Sequence, residues 1–427
     1  VEWYGEELSQ KPKGVSILRN AYKVMLDCNL LIGNYKDAMV CKQKLVSIGG
    51  KVPTHLRFVY TFNLGGLYFY AGCIYVYVRY KIMKIVHVTW MFTFGGIETM
   101  LVNICNEQIK LGHDVHLIVM EDSTVESTLY DSLDKRIKLH YGHRKNGANL
   151  LLPMLRLNYL LYELHPNVIH IHSSSMYKLI LAPWHKKITN ATLHALPKPK
   201  NTQSIDLVPR VFAISDSVRR ALLAYNGTES ICNPNGIRPE LIKQRQSGDW
   251  KDMLQIVQVG RLDHDDKGQH ILIQAGAELL KRGYHNFMIN FIGDGSSRPY
   301  LEGMVQKSGL GQNVTFHGMK SQSYIFEHVC DYDVFVQPSI REGFGNTVAE
   351  AMAVVGSSGQ GPEEVIDYGK YGYVFKNGNP IDCADKLEVF LKHENDQQQV
   401  EAAYKRVLDL YDIKVTVKTY LDKYKRR

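Results

Sequence analysis

The chain has 427 residues, of which 45% are hydrophobic and 22% are charged, and its formal net charge is +8. This composition is typical of a soluble globular protein of two or three domains and excludes a disordered or collagen-like chain. The seven cysteines are scattered without a CxxC pair, which argues against a disulfide scaffold or zinc site and favours a reducing compartment.

The first 82 residues differ from the rest in charge and pattern. They carry 11 Lys and Arg against 5 Asp and Glu, so they hold +6 of the total +8. Two apolar stretches interrupted at Gly33 and Gly72 predict a helical appendage (1–82) of hairpins similar to tetratricopeptide repeats. Residues 58–78 carry no charge, so a membrane-contacting segment is one alternative, and a strand-rich unit is another.

Residues 1–82 also lead to expectations about where the protein is located and what it contacts. The sequence starts at Val1 without a signal peptide, so we expect a cytoplasmic protein and a piece of a longer one. The basic appendage predicts contact with a protein or with the inner face of an anionic membrane, and the alternative is a solvated basic face.

From residue 83 onward, short apolar strands alternate with amphipathic helices, which predicts parallel sheets. The first series is predicted to form an N-terminal Rossmann-like domain, residues 83–247. A glycine turn at 94–96 is predicted to lead into a helix ending at Gly112. The predicted strands are 84–90, 113–120, 136–141, 167–174, 190–195, 210–215 and 229–237, with further helices at 151–164, 176–186 and 216–226.

A segment of low periodicity, residues 238–252, reads as a linker to a second series of the same kind. This series predicts a second Rossmann-like domain, residues 248–410. Its strands are predicted at 253–260, 287–295, 313–318, 333–339 and 371–375, and its helices at 268–282, 298–308, 346–352, 382–393 and 397–410. Two doubly wound domains bind ligands in the cleft at the carboxyl ends of their strands.

The stretch "REGFGNTVAEAMA" holds Glu342 and Glu350, eight positions apart, after a predicted strand and into a predicted helix. Glycine lets the backbone approach a ligand closely, and unsatisfied N–H groups at a helix start favour an anion. Two carboxylates would repel a phosphate, so they fit only where they accept hydrogen bonds from hydroxyl groups. A sugar nucleotide supplies both phosphates and hydroxyls.

With this pattern, residues 83–427 resemble a GT-B glycosyltransferase of the retaining family 4, group 1 type. Four further motifs agree in order: "FGGIE" at 94–98, "ATLHA" around His194, "VGRLDHDDKGQ" with Arg261 and Lys267, and "IGDG" at 292–295. The resemblance implies an α/β fold of two doubly wound Rossmann-like domains facing across a cleft. It also implies that residues 411–427 form a C-terminal helix returning to the N-terminal domain.

The resemblance implies a role for each motif. Arg261 and Lys267 would neutralise the leaving diphosphate, Glu342 and His194 would lie at the donor sugar, and Glu350 would bind the ribose. The predicted catalytic residues are therefore Glu342, His194, Lys267 and Arg261. The predicted donor-binding residues are Gly95, Gly96, Arg261, Lys267, Gly293, Gly343, Phe344, Gly345, Asn346, Thr347 and Glu350.

The implied activity is transfer of a hexose from a UDP- or GDP-linked sugar to a glycan or lipid-linked acceptor. It would proceed with retention and without a metal or other cofactor, in cell-surface polysaccharide synthesis and with no nucleic-acid partner. One alternative is another GT-B enzyme, a sugar-nucleotide epimerase or a phosphorylase, although no lysine motif for pyridoxal phosphate is apparent. The other is a non-catalytic scaffold whose helical-repeat region binds a partner.

Two patterns imitate metal sites. His170 and His172 alternate at a strand end but lack a third ligand, so we expect structural or acceptor-side roles. The "DYD" at 331–333 looks like a metal-binding DxD motif, but it leads into a predicted buried strand, and we expect no metal there.

The sequence departs from the family pattern just after Glu350. The family continues from "EAMA" through a turn into a strand, whereas here "AVVGSS" follows at once. About two to six residues usually join a helix to a strand, so about four residues are missing relative to that expectation. We expect that the sequence omits them; a real deletion would put activity in doubt.

Overall fold

The computed structural model describes residues 82–425 except 94, 122, 124, 146–148, 244–252, 352–353 and 395–396. The predicted helical appendage lies outside the described residues apart from its last position. Met83–Arg427 form one unit by their internal contacts.

Seven strands form the first sheet: β1 (Lys84–Thr89), β2 (Asp114–Val119), β3 (Lys138–Tyr141), β4 (Val168–Ile171), β5 (Thr189–Leu193), β6 (Arg210–Ala213) and β7 (Ile231–Cys232). They pair in parallel in the order β3-β2-β1-β4-β5-β6-β7. Strands covered by helices on both faces carry continuous apolar runs, and in β1 every residue after Lys84 is buried.

Five helices accompany this sheet: α1 (Gly96–Lys110), α2 (Ser127–Asp131), α3 (Leu151–Leu164), α4 (Pro183–Lys187) and α5 (Asp216–Asn226). The helix predicted at 176–186 is wrong as a single element, because a 3-10 helix, Ser174–Leu179, and α4 replace it. Ala182 is extended, as residues before proline tend to be, and Pro183 opens a new helix.

The second sheet has six strands: β8 (Leu254–Val259), β9 (Phe287–Ile292), β10 (Val314–Phe316), β11 (Val334–Gln337), β12 (Val354–Ser357) and β13 (Tyr373–Phe375). Their parallel order is β10-β9-β8-β11-β12-β13. The helices that follow β8 in the chain are α6 (His264–Lys267), α7 (Gln269–Lys281), α8 (Arg298–Lys307), α9 (Gln322–His328), α10 (Asn346–Glu350), α11 (Gly361–Val365), α12 (Pro380–Leu391), α13 (Gln397–Tyr411) and α14 (Ile413–Lys425). Two parallel doubly wound sheets, as the alternation of strands and helices predicted, are confirmed.

Helix α10 is shorter than predicted, ending at Glu350 rather than 352, and β12 begins at Val354. The helix therefore ends two residues earlier than predicted, and three positions, 351–353, separate it from β12. That spacing lies within the usual range of about two to six residues. The close succession of "EAMA" and "AVVGSS" is thus compatible with a continuous sheet.

Both sheets reverse their strand order beside their first strand. β1 lies between β2 and β4, and β8 lies between β9 and β11. Loops leave the sheet in opposite directions at such a point, which opens a crevice at the carboxyl ends of the strands.

The chain passes twice between the two sheets, and the two passages pair with each other. Ile237 and Asp412 form a parallel β-bridge. The N–H of Ile237 donates to the carbonyl of Tyr411 at 2.7 Å, and the N–H of Ile413 donates to the carbonyl of Ile237 at 2.8 Å. Beyond this bridge, α14 packs on the first sheet, where the Tyr420 ring lies edge-on to Phe212 at 4.8 Å.

One hydrophobic cluster contains side chains from both sheets and from the segments that follow their strands, including Val86 in β1, Ile214 after β6, Phe335 in β11 and Phe344 after β11. The two sheets therefore share apolar contacts. In the described part of the chain, no helix combines the length and the apolar character needed to span a bilayer.

Candidate functional site

The loop between β11 and α10, residues 338–345, lies at the carboxyl end of the second sheet. Gly345 precedes α10 with φ +88°, a left-handed conformation that glycine adopts readily. The helix itself has only five residues. Its dipole is correspondingly small, so the exposed backbone N–H groups and the surrounding side chains must dominate any binding here.

Glu342 and Lys267 are in direct contact at this loop. The Lys267 Nζ atom lies 2.5 Å from Glu342 Oε2, and both side chains are largely buried, at 25% and 15% exposure. Gln337 Nε2 at 3.3 Å and Ser339 Oγ at 3.5 Å donate to the same carboxylate oxygen. The two residues predicted to serve the sugar and the diphosphate thus form one charge-paired unit.

Gln360 and Gly361, at the turn that begins α11, contact the 338–345 loop. Gln360 accepts a hydrogen bond from the backbone N–H of Glu342 and donates one to the carbonyl of Ile340. A Cβ atom on Gly361 would lie 2.4 Å from the Cα of Phe344, so only glycine permits this approach. The Phe344 side chain is buried against the Tyr411 ring, which leaves its backbone as the part available to a ligand.

Lys267 is placed by the short helix α6 and the glycine that follows it. A Cβ on Gly268, whose φ is +67°, would lie 1.9 Å from the carbonyl oxygen of Pro338. That contact holds the end of α6 against the end of β11. The Arg261 side chain does not share this ion pair: it is 70% exposed, and it pairs with Asp263 at 3.7 Å.

Glu350 is the last residue of α10 and is buried, with 8% exposure. Burial raises the pKa of its carboxyl to about 8. The group is therefore mostly protonated at neutral pH.

The first sheet contributes His194 and the glycine loop. A Cβ on Gly343 would lie 3.3 Å from the carbonyl oxygen of His194, which follows β5, and Ser215 Oγ donates to the Gly343 carbonyl at 2.6 Å. A Cβ on Gly96 would lie 3.5 Å from Asn346 Nδ2. Both N-terminal motifs therefore meet the 338–345 loop and the start of α10 across the cleft.

Two family models match adjoining parts of the chain. The model described as Glycosyltransferase Family 4 matches residues 94–241, and the model described as Glycosyl transferases group 1 matches residues 241–406. The chain belongs to the family 4, group 1 glycosyltransferases.

Named relatives of this glycosyltransferase chain match it over limited segments. The putative glycosyltransferase EpsD of Bacillus subtilis (strain 168) is 33% identical over 127 residues, 29% of this chain and 32% of that protein. Alpha-D-kanosaminyltransferase of Streptomyces kanamyceticus is 31% identical over 140 residues, 32% of this chain and 36% of that protein. The chain therefore spans about a third of the length of these curated relatives.

A solved structure covers far more of the glycosyltransferase chain. The Anabaena protein Alr3699/HepE, crystallised with UDP and glucose, matches with a TM-score of 0.68 at 17% identity. The match covers 81% of this chain and 100% of that one. The fold is therefore GT-B, as the sequence predicted.

Other predicted residues of the candidate site have contacts that explain their structural roles. A Cβ on Gly293, at φ +140°, would lie 2.0 Å from the Gly260 carbonyl oxygen, so the ends of β8 and β9 require glycine there. Thr347 Oγ1 donates to Gln337 Oε1 at 3.5 Å. Gly95 caps α1 in an extended conformation that any residue adopts.

The two metal-like patterns take other positions. Asp333 lies before β11, at the amino end of the strand, and its Oδ2 accepts the N–H of Gln255 at 2.6 Å. His170 and His172 are buried, and both form hydrogen bonds to other side chains. Within the described residues, no three or more His, Cys, Asp or Glu side chains are grouped to hold a metal ion.

Sequence reasoning missed several side chains that form hydrogen bonds to predicted residues of the candidate site. Gln360 and Gln337 support Glu342, and Asn235 donates to Asn346 Oδ1 at 2.9 Å. None of these belongs to a recognisable motif. For Gln337 a signal was present, because it is the one polar residue of an otherwise apolar strand and lies at its carboxyl end.

Proposed function

We propose that this chain transfers a sugar from a nucleoside diphosphate sugar to a hydroxyl of an acceptor, with retention at the anomeric carbon. The observation that carries the proposal is the Lys267–Glu342 pair beside the Gly343–Gly345 backbone. It offers one cation for a leaving phosphate and one anion for sugar hydroxyls in the same place.

The proposed reaction needs no protein nucleophile. The bond between the anomeric carbon and the diphosphate oxygen breaks, and the acceptor oxygen attacks on the same face. The acceptor proton passes to a leaving phosphate oxygen, and the nucleoside diphosphate departs. Lys267, with the exposed Arg261, would stabilise negative charge that develops only as this bond breaks.

For the donor we propose a UDP- or GDP-linked hexose. The HepE structure, which shares the fold, contains UDP and glucose, and this supports a UDP donor. Melting the protein with a panel of nucleoside diphosphates tests the choice of base. A ligand at a hundred times its dissociation constant raises the free energy of unfolding by about 2.7 kcal/mol. The diphosphate with the correct base should therefore raise the melting temperature clearly more than the others.

For the acceptor we propose a growing glycan, soluble or lipid-linked, in cell-surface polysaccharide synthesis. The net charge of +8, with +6 in residues 1–82, would favour an anionic membrane surface as the place where such an acceptor is met. Incubating the full chain with labelled donor and separate soluble-glycan and lipid-linked fractions tests this. Release of free sugar in every fraction, without transfer, would contradict the acceptor class.

Affinity for the nucleoside diphosphate should rise with pH if Glu350 binds the ribose. Ribose hydroxyls donate hydrogen bonds, which favours the ionised carboxylate, whereas burial raises the pKa of the free Glu350 to about 8. Binding below that pKa must therefore release a proton. We expect affinity to rise about tenfold per pH unit up to about pH 8 and then level off.

The matched control for this titration is Glu350→Gln. The diphosphate titrates identically with both proteins, so the difference between the two pH profiles isolates Glu350. Calorimetry between pH 6.5 and 9 gives both curves. Parallel profiles would show that Glu350 does not ionise on binding.

Transfer activity should persist in excess EDTA. Lys267 and Arg261 supply two positive charges to the proposed diphosphate site, and Asp333 of the "DYD" lies at the opposite end of β11. The measurement is turnover before and after chelation. Loss of activity on chelation, restored by magnesium or manganese, would contradict the proposed metal independence.

A further inference from the structure

A row of histidines crosses one face of the first sheet. His87 lies in β1, His170 in β4, and His172 and His194 directly follow β4 and β5. Register pairs His87 with His170, and His172 lies two residues further on the same face. The His172 ring stacks against the rings of His170, His87 and His194, with centroids 4.9, 5.3 and 5.2 Å apart.

Three of these rings form a continuous hydrogen-bonded chain that starts at Gln108 of α1. Gln108 Oε1 lies 2.9 Å from His87 Nε2. His87 Nδ1 lies 3.0 Å from His172 Nε2, and His172 Nδ1 lies 3.0 Å from His194 Nε2. The last nitrogen, His194 Nδ1, is shielded from solvent and has no hydrogen-bond partner among the described residues.

The hydrogen bonds between these histidines all run in one direction, because each imidazole ring is neutral. Burial lowers the pKa of His87 to about 4 and that of His194 to about 3, and it lowers the pKa of His172 well below its usual value. A neutral imidazole carries one N–H and one lone pair. An amide oxygen only accepts a hydrogen bond, so His87 Nε2 must carry the proton and His87 Nδ1 must be the acceptor. His172 Nε2 must then donate to His87, and His194 Nε2 must donate to His172 in the same way.

The Gln108 side chain places its amide oxygen, Oε1, toward His87 Nε2. Its amide nitrogen, Nε2, is buried and has no hydrogen-bond partner among the described residues.

We propose that Gln108 is a positioning residue for the donor-sugar site: through His87 and His172 it holds His194 in the Nε2–H tautomer, so that Nδ1 can accept a hydrogen bond from a sugar hydroxyl. The backbone carbonyl of His194 lies beside Gly343 in the loop of residues 338–345. The sugar as the hydrogen-bond donor rests on the proposed function, whereas the tautomer does not.

The tautomer can be measured on the full, unmodified chain without any ligand. Long-range proton–nitrogen correlation spectra of protein labelled with ¹⁵N-histidine at pH 7.5 distinguish protonated from unprotonated ring nitrogens. The signals of His194 are assigned by their loss in His194→Gln. We expect His194 to be protonated at Nε2 alone. Protonation at Nδ1 alone, or a mixture of both tautomers, would overturn the proposal.

Two variants of Gln108 distinguish the effect of its hydrogen bond to His87 from the effect of its side-chain packing. Gln108→Glu keeps a carboxyl oxygen that can accept the His87 Nε2 proton and should preserve the wild-type tautomer. Gln108→Met keeps the volume but removes the bond, so His194 should become a mixture of tautomers. With the intact donor, kcat/KM should fall about tenfold in Gln108→Met and recover in Gln108→Glu, while the dissociation constant of the free diphosphate stays unchanged.

The matched control is His116→Gln. His116 Nδ1 bonds His140 Nε2 at 2.9 Å in the same sheet, but its register partner is Val86, so it lies on the opposite face from His87. This variant should leave the His194 tautomer unchanged. A Gln108→Met protein that keeps the wild-type tautomer would overturn the proposal, and if that variant does not fold, the wild-type spectrum decides. Absence of any sugar transfer would defeat the proposed function but leave the tautomer result standing.

Discussion

Lys267→Ala is expected to lower turnover by about 10² to 10³-fold while the protein stays folded. The charge on a departing diphosphate develops in the transition state, so the loss should appear mainly in kcat. The Lys267 Nζ atom is held 2.5 Å from Glu342 Oε2, so the fold itself positions this cation at the loop. Steady-state kinetics with the intact donor measure the loss, and a thermal melt checks the fold.

Two controls determine whether Lys267 acts on the diphosphate or only through Glu342. Lys281→Ala removes a lysine on α7 that is 76% exposed and paired with Glu278, and it should leave turnover unchanged. The double variant Lys267→Ala/Glu342→Gln should be slower than Glu342→Gln alone. Equal rates for these two proteins would show that Lys267 serves only to hold Glu342, and wild-type turnover in Lys267→Ala would remove it from the site altogether.

Glu350→Ala and Glu342→Ala should weaken different parts of donor recognition. We expect Glu350→Ala to weaken binding of the free nucleoside diphosphate about tenfold or more, since a hydroxyl bonded to a carboxylate contributes about 1.5 to 3 kcal/mol. Glu342→Ala should barely change diphosphate affinity. It should instead weaken use of the whole donor and alter the preference among sugars, because Glu342 lies before the glycine loop and Glu350 lies at the end of α10.

Calorimetry with the free diphosphate, together with kinetics on the whole donor, measures both effects. Glu350→Gln and Glu342→Gln keep the side-chain volume and separate loss of charge from loss of packing, which matters most for the buried Glu350. If Glu342→Ala abolishes diphosphate binding while Glu350→Ala leaves it intact, the proposed roles are reversed.

The alternation of strand and helix was enough to predict both sheets, because fully buried strands and amphipathic helices leave different periodicities. α3 and α5 have the predicted bounds; in α5, Ser215 accepts the N–H of Val218 and Gly227 ends the helix in a left-handed conformation. Short elements without such signals were missed, among them α9 and α11. Each has at most seven residues, too few for a period to show.

The site was only partly predictable for a different reason. Glu342, Lys267 and His194 belong to local motifs, whereas their supporting partners come from distant parts of the chain. Gln360 follows Glu342 by 18 positions, and Gln108 reaches His194 only through two other strands. A signal for the histidine row did exist, since His87 and His170 sit inside otherwise apolar strands. The roles assigned to the donor-binding residues remain predictions.

The paired passages at Ile237 and Asp412 restrict how the two domains can move. A single linker would allow one domain to swivel about its own axis, but two cross-connected strands resist torsion and permit bending about the line that joins them. We therefore expect any opening or closing of the cleft to occur mainly by bending about the line that joins the two passages. Along such a path, the end of β5 that carries His194 would return to the same position beside Gly343 at each closure.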